Sequence, residues 1–183
     1  MLAAADVPFE PMAAGVDEEA AKASLCAYGI SARNLADALA ELKALKLSRR
    51  FPDALVLGCD QVTSLGDRIF DKPASRDESR EHLQALRGET HSQTSAAVIC
   101  EAGKPVWRHI DVAKLAIREF SDGFLDAYLD AEWPAIGGCA GGYRLEGRGA
   151  QLFARIDGSH FTILGLPLLP LLDYLRTRGI MAA

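Results

Sequence analysis

In the stretch "LVLGCDQVTS", Leu55 to Ser64, an apolar run passes through a glycine and a cysteine into a carboxylate, Asp60. An amide, Gln61, follows it. A carboxylate at the carboxyl end of a buried strand lies where open α/β sheets place their ligand crevices. The same residue can equally serve as an ordinary cap or turn acceptor. About a dozen residues on, "DKP" supplies Lys72, whose ammonium can bind phosphate as a point charge, although most lysines are simply solvated. "GVDEEA", Gly15 to Ala20, puts acidic residues in a first helical turn, where they suit the helix dipole. They are also the hard oxygen ligands that Mg²⁺ takes, one or two at a time, with substrate phosphates completing the shell. The glycines between Gly137 and Gly149 let backbone approach a ligand closely. That loop has neither GxGxxG nor Walker spacing.

Other chemistries find no support. His82, His91, His109 and His160 form no HExxH and no i,i+4 pair, and read as structural or surface residues. No GxSxG marks a serine nucleophile. Cys26, Cys59, Cys100 and Cys139 form no CxxC and read as small buried thiols in a reducing compartment. Carboxylates and lysines remain, a set suited to metal-assisted attack of water on a phosphate chain.

The 183 residues carry a net charge of -5, with 49% hydrophobic and 25% charged residues. That length suffices for one globular domain with a real core. The negative charge argues against a nucleic-acid polymer as partner. No signal peptide opens the chain and no run approaches a membrane span, so a cytoplasmic protein without membrane contact is expected.

The elements that must position these residues alternate. Residues 7 to 13 look extended, limited to an edge or irregular strand by Pro8 and Pro11. "DEEAAKASLCAYG" reads as a helix capped by Asp17 and stopped by Gly29. "NLADALAELKALKL" reads as a helix capped by Asn34, with Leu35, Leu39, Leu42 and Leu45 as its apolar stripe and Lys43 off it. "ALVLGCD", 54 to 60, is a candidate central strand buried on both faces. "DRIFDKP" offers a short strand. "SRDESREHLQALRG" reads as a helix capped by Ser75, with Leu83 and Leu86 inward and Gly88 as terminator. Two long strands follow, joined by a hairpin tip at "GK". A short helix capped by Ser121, a second hairpin around Asp157-Gly158 and a final helix with Pro167 near its start close the chain. The pattern predicts a mixed sheet with helices packed on it, an α/β or α+β single domain spanning residues 1–183.

Taken in order, "GVDEE", "LADALAELKA", "LGCDQV", "DKP", "LRGETHSQTSAAVI", "CAGGYRLEGRGAQLF" and "GLPLLPLL" resemble the Maf family of nucleoside triphosphate pyrophosphatases over residues 2 to 178. The resemblance implies the Maf/inosine-triphosphatase-like fold, with an elongated mixed sheet, flanking helices, two lobes and a central cleft. It implies hydrolysis of a nucleoside triphosphate to the monophosphate and pyrophosphate, with a divalent cation, Mg or Mn, as cofactor and the clearing of unwanted nucleotides as the role. By motif, Asp60 matches the carboxylate that activates water. Lys43 and Lys72 match phosphate-binding lysines, and Glu18 an acidic site residue that shares the metal with Asp60 or partners its water network. Gln61, Cys139 and Glu146 resemble the branch associated with 7-methyl-GTP, which assigns Gln61 and Glu146 to substrate binding. Homodimers are implied by resemblance alone. The family's first strand and its "SxSxRR" phosphate loop have no counterpart in these residues, since "LSRR", Leu47 to Arg50, falls at the end of a helix. That departure supports an alternative reading, a catalytically impaired nucleotide-binding or regulatory paralogue linked to septum formation.

Overall fold

The structure is a computed structural model and describes residues 1–182. Its elements run α1 (Glu18–Ala27), α2 (Ala32–Ser48), β1 (Val56–Leu65), β2 (Arg68–Phe70), α3 (Arg76–Leu86), β3 (Thr90–Glu101), β4 (Lys104–Ile117), α4 (Asp122–Glu132), β5 (Phe153–Asp157), α5 (His160–Ile163) and α6 (Leu168–Thr177). The strands follow the order β2-β1-β3-β4-β5, so the architecture is mixed α/β as the pattern predicts. Two compact units share the chain. The first comprises Met1–Gln61, Thr94–Val112 and the segment from Ser159; the second comprises Val62–Gln93 and Ala113–Gly158. Strands β1, β3 and β4 each contribute residues to both units.

In the first unit, α2 lies directly on β1. A Cβ built on Gly58 would sit 2.3 Å from the Ala40 carbonyl oxygen and 2.7 Å from the Ala44 nitrogen. Only glycine permits that approach. The buried face of α2 is accordingly Leu35, Ala36, Leu39, Ala40, Ala44 and Leu47, while Leu42 is exposed. The leucine stripe expected from the sequence is therefore rotated, because small alanines must face a backbone that comes this close. The helix also starts earlier than expected. Ser31, extended at φ -69° and ψ 153°, accepts from the Asn34 amide, so Asn34 lies inside the first turn. A second cluster packs Leu168, Leu171 and Leu175 of α6 on Ala97 and Ile99 of β3, with Val7 beside them. Burying each leucine stabilises the unit by about 2 kcal/mol.

In the second unit, β1 and β2 pair antiparallel through Thr63–Phe70 and Leu65–Arg68. The turn between them uses Gly66 at φ +57°. Ser75 caps α3 by accepting from the Glu78 amide, and the Glu78 carboxylate accepts in return from the Ala74 amide at 2.7 Å, a reciprocal cap. Leu83 and Leu86 are fully buried. Arg76 and Arg80 of α3 and Arg87 just past its end pair with Asp130, Asp126 and Asp122 of α4 respectively, an antiparallel ladder of ion pairs. A buried polar network holds the glycine-rich loop: Gln93 donates to the Tyr143 hydroxyl at 2.8 Å and accepts from Thr63 at 2.9 Å, and His91 Nε2 lies 2.5 Å from the same hydroxyl.

Four further expectations are corrected. Residues 7 to 13 form no strand; Pro8 and Pro11 lack the donors a ladder needs. The β3–β4 tip is Ala102-Gly103, both at positive φ, with Lys104 already in the strand. No hairpin forms around Asp157-Gly158. Strand β5 pairs with β4, and the chain then turns into α5, whose Thr162 and Ile163 carbonyls accept from the Gln61 side chain. Finally, β1 lies between β2 and β3 but continues past Asp60 to Leu65, and up to Gln61 only Gly58 is fully buried, so the strand neither ends at Asp60 nor is buried on both faces there.

Candidate functional site

Asp60 is the fifth residue of a ten-residue strand, not its end. Its position is set by the Gly58 contact, which presses α2 onto β1 and delivers Lys43, three residues beyond Ala40, to the same place. The Lys43 ammonium donates to Asp60 Oδ1 at 2.7 Å and to the Cys59 carbonyl at 3.4 Å, and pairs with Glu18 Oε2 at 2.9 Å. The side chains of Asp60, Lys43 and Glu18 are 10%, 20% and 52% exposed. Glu18 reaches the ammonium from the first turn of α1, whose start is fixed by Asp17 accepting from the Ala20 amide. Two carboxylates thus face each other across one ammonium.

Burial pushes the Asp60 carboxyl above the usual carboxylate range, and the nearby Glu18 charge adds to the effect; Lys43 and Lys22 oppose it. Burial alone would lower the Lys43 ammonium, but its hydrogen bonds to Asp60 and Glu18 outweigh that and hold it above the ordinary lysine value. The lysine is held charged by its two carboxylate partners, and desolvation is what makes the Asp60 carboxyl harder to ionise. Desolvation pushes the neighbouring Cys59 thiol up to about 12, so it is no nucleophile at neutral pH. Beside the cluster is a cleft of about 340 Å³, with Gly15, Val16, Glu18, Lys43, Leu57 and Cys59 among its lining residues. Lys46 donates to the Gly15 carbonyl and ties that wall to α2.

The donor set fits a hard cation. Among the described residues, no group of three or more His, Cys, Asp and Glu is placed to hold a metal ion unaided. Glu18 and Asp60 could supply two carboxylate oxygens, the number typical of Mg²⁺ sites that draw their other ligands from water and phosphate.

Gln61 sits next to Asp60 but turns its amide elsewhere. Its Nε2 donates to the Thr162 carbonyl at 2.9 Å and the Ile163 carbonyl at 2.8 Å, and lies 3.2 Å from Ser95 Oγ. Ser95 donates to the same Thr162 carbonyl at 2.6 Å, and the Thr162 hydroxyl to Asp111 at 2.5 Å. Lys72 and Glu146 belong to the second unit, where both act electrostatically on Cys139 of the glycine-rich loop. Burial raises that thiol, Glu146 adds to the rise, and Arg144 and Lys72 oppose it. The loop is latched by Arg144 Nε, which donates to the buried Glu132 carboxylate at 2.9 Å. Of the residues singled out from the sequence, Glu18, Lys43 and Asp60 form one cluster, with Gln61 adjoining; Lys72 and Glu146 form another neighbourhood around Cys139.

The comparisons with known proteins agree with this picture. Residues 1–178 match the family model described as "Maf-like protein". A nucleoside triphosphate pyrophosphatase of Rhodospirillum rubrum is 50% identical over 181 residues, covering 99% of this chain and 90% of that protein. Proteins of the same name from Roseobacter denitrificans and Caulobacter vibrioides are each 49% identical, over 98% and 97% of this chain and 90% and 88% of their own lengths. With a match this complete, the chain belongs to the Maf family.

Proposed function

We propose that this chain hydrolyses a nucleoside triphosphate between its α- and β-phosphates, with Asp60 as the base that activates water and a 7-methyl-GTP-like nucleotide as substrate. The coarser statement stands on the family and its relatives: the chain is a hydrolase acting on nucleotides, a nucleoside triphosphate pyrophosphatase. The observation that carries the finer one is the Glu18–Lys43–Asp60 cluster. A base needs a proton affinity raised toward the working pH, and burial gives Asp60 that direction. Lys43 orients the Asp60 carboxylate by its 2.7 Å hydrogen bond and leaves the second oxygen, Oδ2, to take a proton from water.

A divalent cation, Mg or Mn, would be held by Glu18 and Asp60 and would supply charge neutralisation for the leaving pyrophosphate. Lys43 and Lys72 are assigned to the phosphates by motif, and Gln61 and Glu146 to the base. The Gln61 assignment gains a direction from its hydrogen bonds. Both amide protons are spent on backbone carbonyls, so Oε1 is the atom left to read a nucleobase, and it reads a donor such as a purine N–H. Glu146 likewise accepts only, which suits a guanine-type edge.

The test is pyrophosphate release from 7-methyl-GTP, GTP, UTP and dTTP with Mg²⁺ or Mn²⁺. The expected result is turnover that Asp60→Asn lowers by about 10²- to 10⁴-fold, the range of a general base. No release from any nucleotide refutes the enzymatic reading. Turnover intact in Asp60→Asn removes the base assignment, and a preference for UTP or dTTP removes the assignment of the base.

A further inference from the structure

We infer that Gly141 and Tyr143 of the glycine-rich loop are positioning residues for Lys72, an inference that rests on the assignment of Lys72 to the phosphates and deepens it. The chain around Lys72 has no regular structure of its own: β2 ends at Phe70 and α3 begins at Arg76. Yet the Lys72 backbone is fixed on both sides. Upstream, the Asp71 carbonyl accepts from the Gly141 amide at 3.1 Å. That carbonyl belongs to the planar peptide joining Asp71 to Lys72, so the bond sets the plane from which Lys72 departs. Downstream, Pro73 disfavours helical backbone at Lys72 and biases it to an extended form. Pro73 is buried, and Gly137 of the same loop comes against it: a Cβ built on Gly137 would lie 3.7 Å from the Pro73 carbonyl oxygen.

The loop is itself anchored from the sheet. Gly141 stands at φ +81°, and a Cβ there would lie 3.2 Å from Tyr143 Cε1 and 3.3 Å from Thr63 Cγ2. The Tyr143 ring thus sets where the Gly141 amide can be. Tyr143 is buried, and its hydroxyl has two partners on β3, Gln93 at 2.8 Å and His91 at 2.5 Å. Gln93 is held in turn by Thr63 of β1 at 2.9 Å. A line of contacts therefore runs from β1 and β3 through Tyr143 and Gly141 to the Asp71 carbonyl. Lys72 is exposed at its end, a flexible point charge on a fixed backbone. When it meets a phosphate oxygen only side-chain freedom is left to lose, and the loop is what removes the backbone's share of that cost.

The experiment is a calorimetric titration of inorganic tripolyphosphate with Mg²⁺ into wild type, Lys72→Met, Gly141→Ala, Tyr143→Phe and the two doubles with Lys72→Met. Circular dichroism sets a temperature well below every Tm. Tyr143→Phe adds no atom and keeps the ring, so it carries the test if Gly141→Ala does not fold. Lys72→Met should weaken Kd about tenfold, the loss of one charge-assisted contact. Gly141→Ala and Tyr143→Phe should each weaken it about threefold, the loss of preorganisation. In the doubles the loop variants should add less than about twofold to the effect of Lys72→Met, because a loop that acts through Lys72 then has nothing left to place. A loop that serves only the fold would lower Tm without this coupling. Full additivity in the doubles, or an unchanged Kd in the loop variants, overturns the inference and leaves the Lys72 assignment standing. An unchanged Kd in Lys72→Met, or no binding of tripolyphosphate by wild type, overturns the Lys72 assignment and the inference with it.

Discussion

Gly58→Ala is the sharpest perturbation the structure offers, because it acts on the placement of Asp60 without touching it. The new Cβ would lie 2.3 Å from the Ala40 carbonyl oxygen, 2.7 Å from the Ala44 nitrogen and 3.0 Å from the Ala44 Cβ. An ordinary C···O approach is about 3.3 Å, so α2 must withdraw by about 1 Å. Two of the three clashing atoms are helix backbone, and no rotamer change relieves them. Overpacking of this kind costs about 3 kcal/mol, the upper part of the usual range. For a chain of this size that lowers Tm by about 6–12 °C. The same withdrawal stretches the 2.7 Å bond between Lys43 and Asp60 past hydrogen-bond range unless the lysine stem follows. Pyrophosphate release, measured well below both Tm values, should fall about tenfold. A Gly58→Ala/Ala44→Gly double variant removes only the 3.0 Å clash and should recover little of either loss. A Tm within about 1 °C of wild type in Gly58→Ala, or full rescue by Ala44→Gly, would show that helix backbone does not set this contact.

Three other outcomes are expected. His91 is almost wholly buried, and burial lowers its pKa from 6.5 to about 4, so it is neutral in the fold while the unfolded chain still protonates. Its contribution is complete above pH 6.5 and is lost as pH falls toward 4; between pH 7 and 5, wild type should lose about 2 kcal/mol more than His91→Gln in urea unfolding. Arg144→Met strands the buried Glu132 carboxylate and should cost about 2 kcal/mol, the exposure of Arg144 moderating the usual loss, whereas adding Glu132→Gln should recover at least half by thermal melts. Ser31→Ala should destabilise by about 1 kcal/mol and Asn34→Ala by less than half of that in the same assay; the reverse order would restore Asn34 as the cap of α2.

What could be read from the sequence divides along a physical line. Helix starts at Asp17, Ser75 and Ser121 were legible because a cap is local chemistry: a side-chain oxygen and an amide three residues on. The cap of α2 was missed by three residues because Ser31 and Asn34 are both capping types, and only the backbone angles choose between them. The misread stripe has a deeper cause. Leucines attract attention, yet Ala36, Ala40 and Ala44 at intervals of four, with Gly58 in the next strand, are the pattern of a close helix–strand approach, and that approach makes the site. The apolar run ends the expected strand at Asp60, yet β1 goes on through Gln61, Thr63 and Ser64 to Leu65. Gln61 and Thr63 are satisfied by Ser95, Thr162 and Gln93, all at least thirty residues away in sequence, and no local window contains them. The same holds for the site. Lys43 and Asp60 are separated by 17 residues, and only the ordered motifs of the resemblance pointed to them together. Gln61 then shows what geometry adds to a motif. As a letter beside Asp60 it offers both donors and an acceptor; with its protons committed to two carbonyls only its oxygen is left to accept, so the proposed substrate contact would have to come from an N–H.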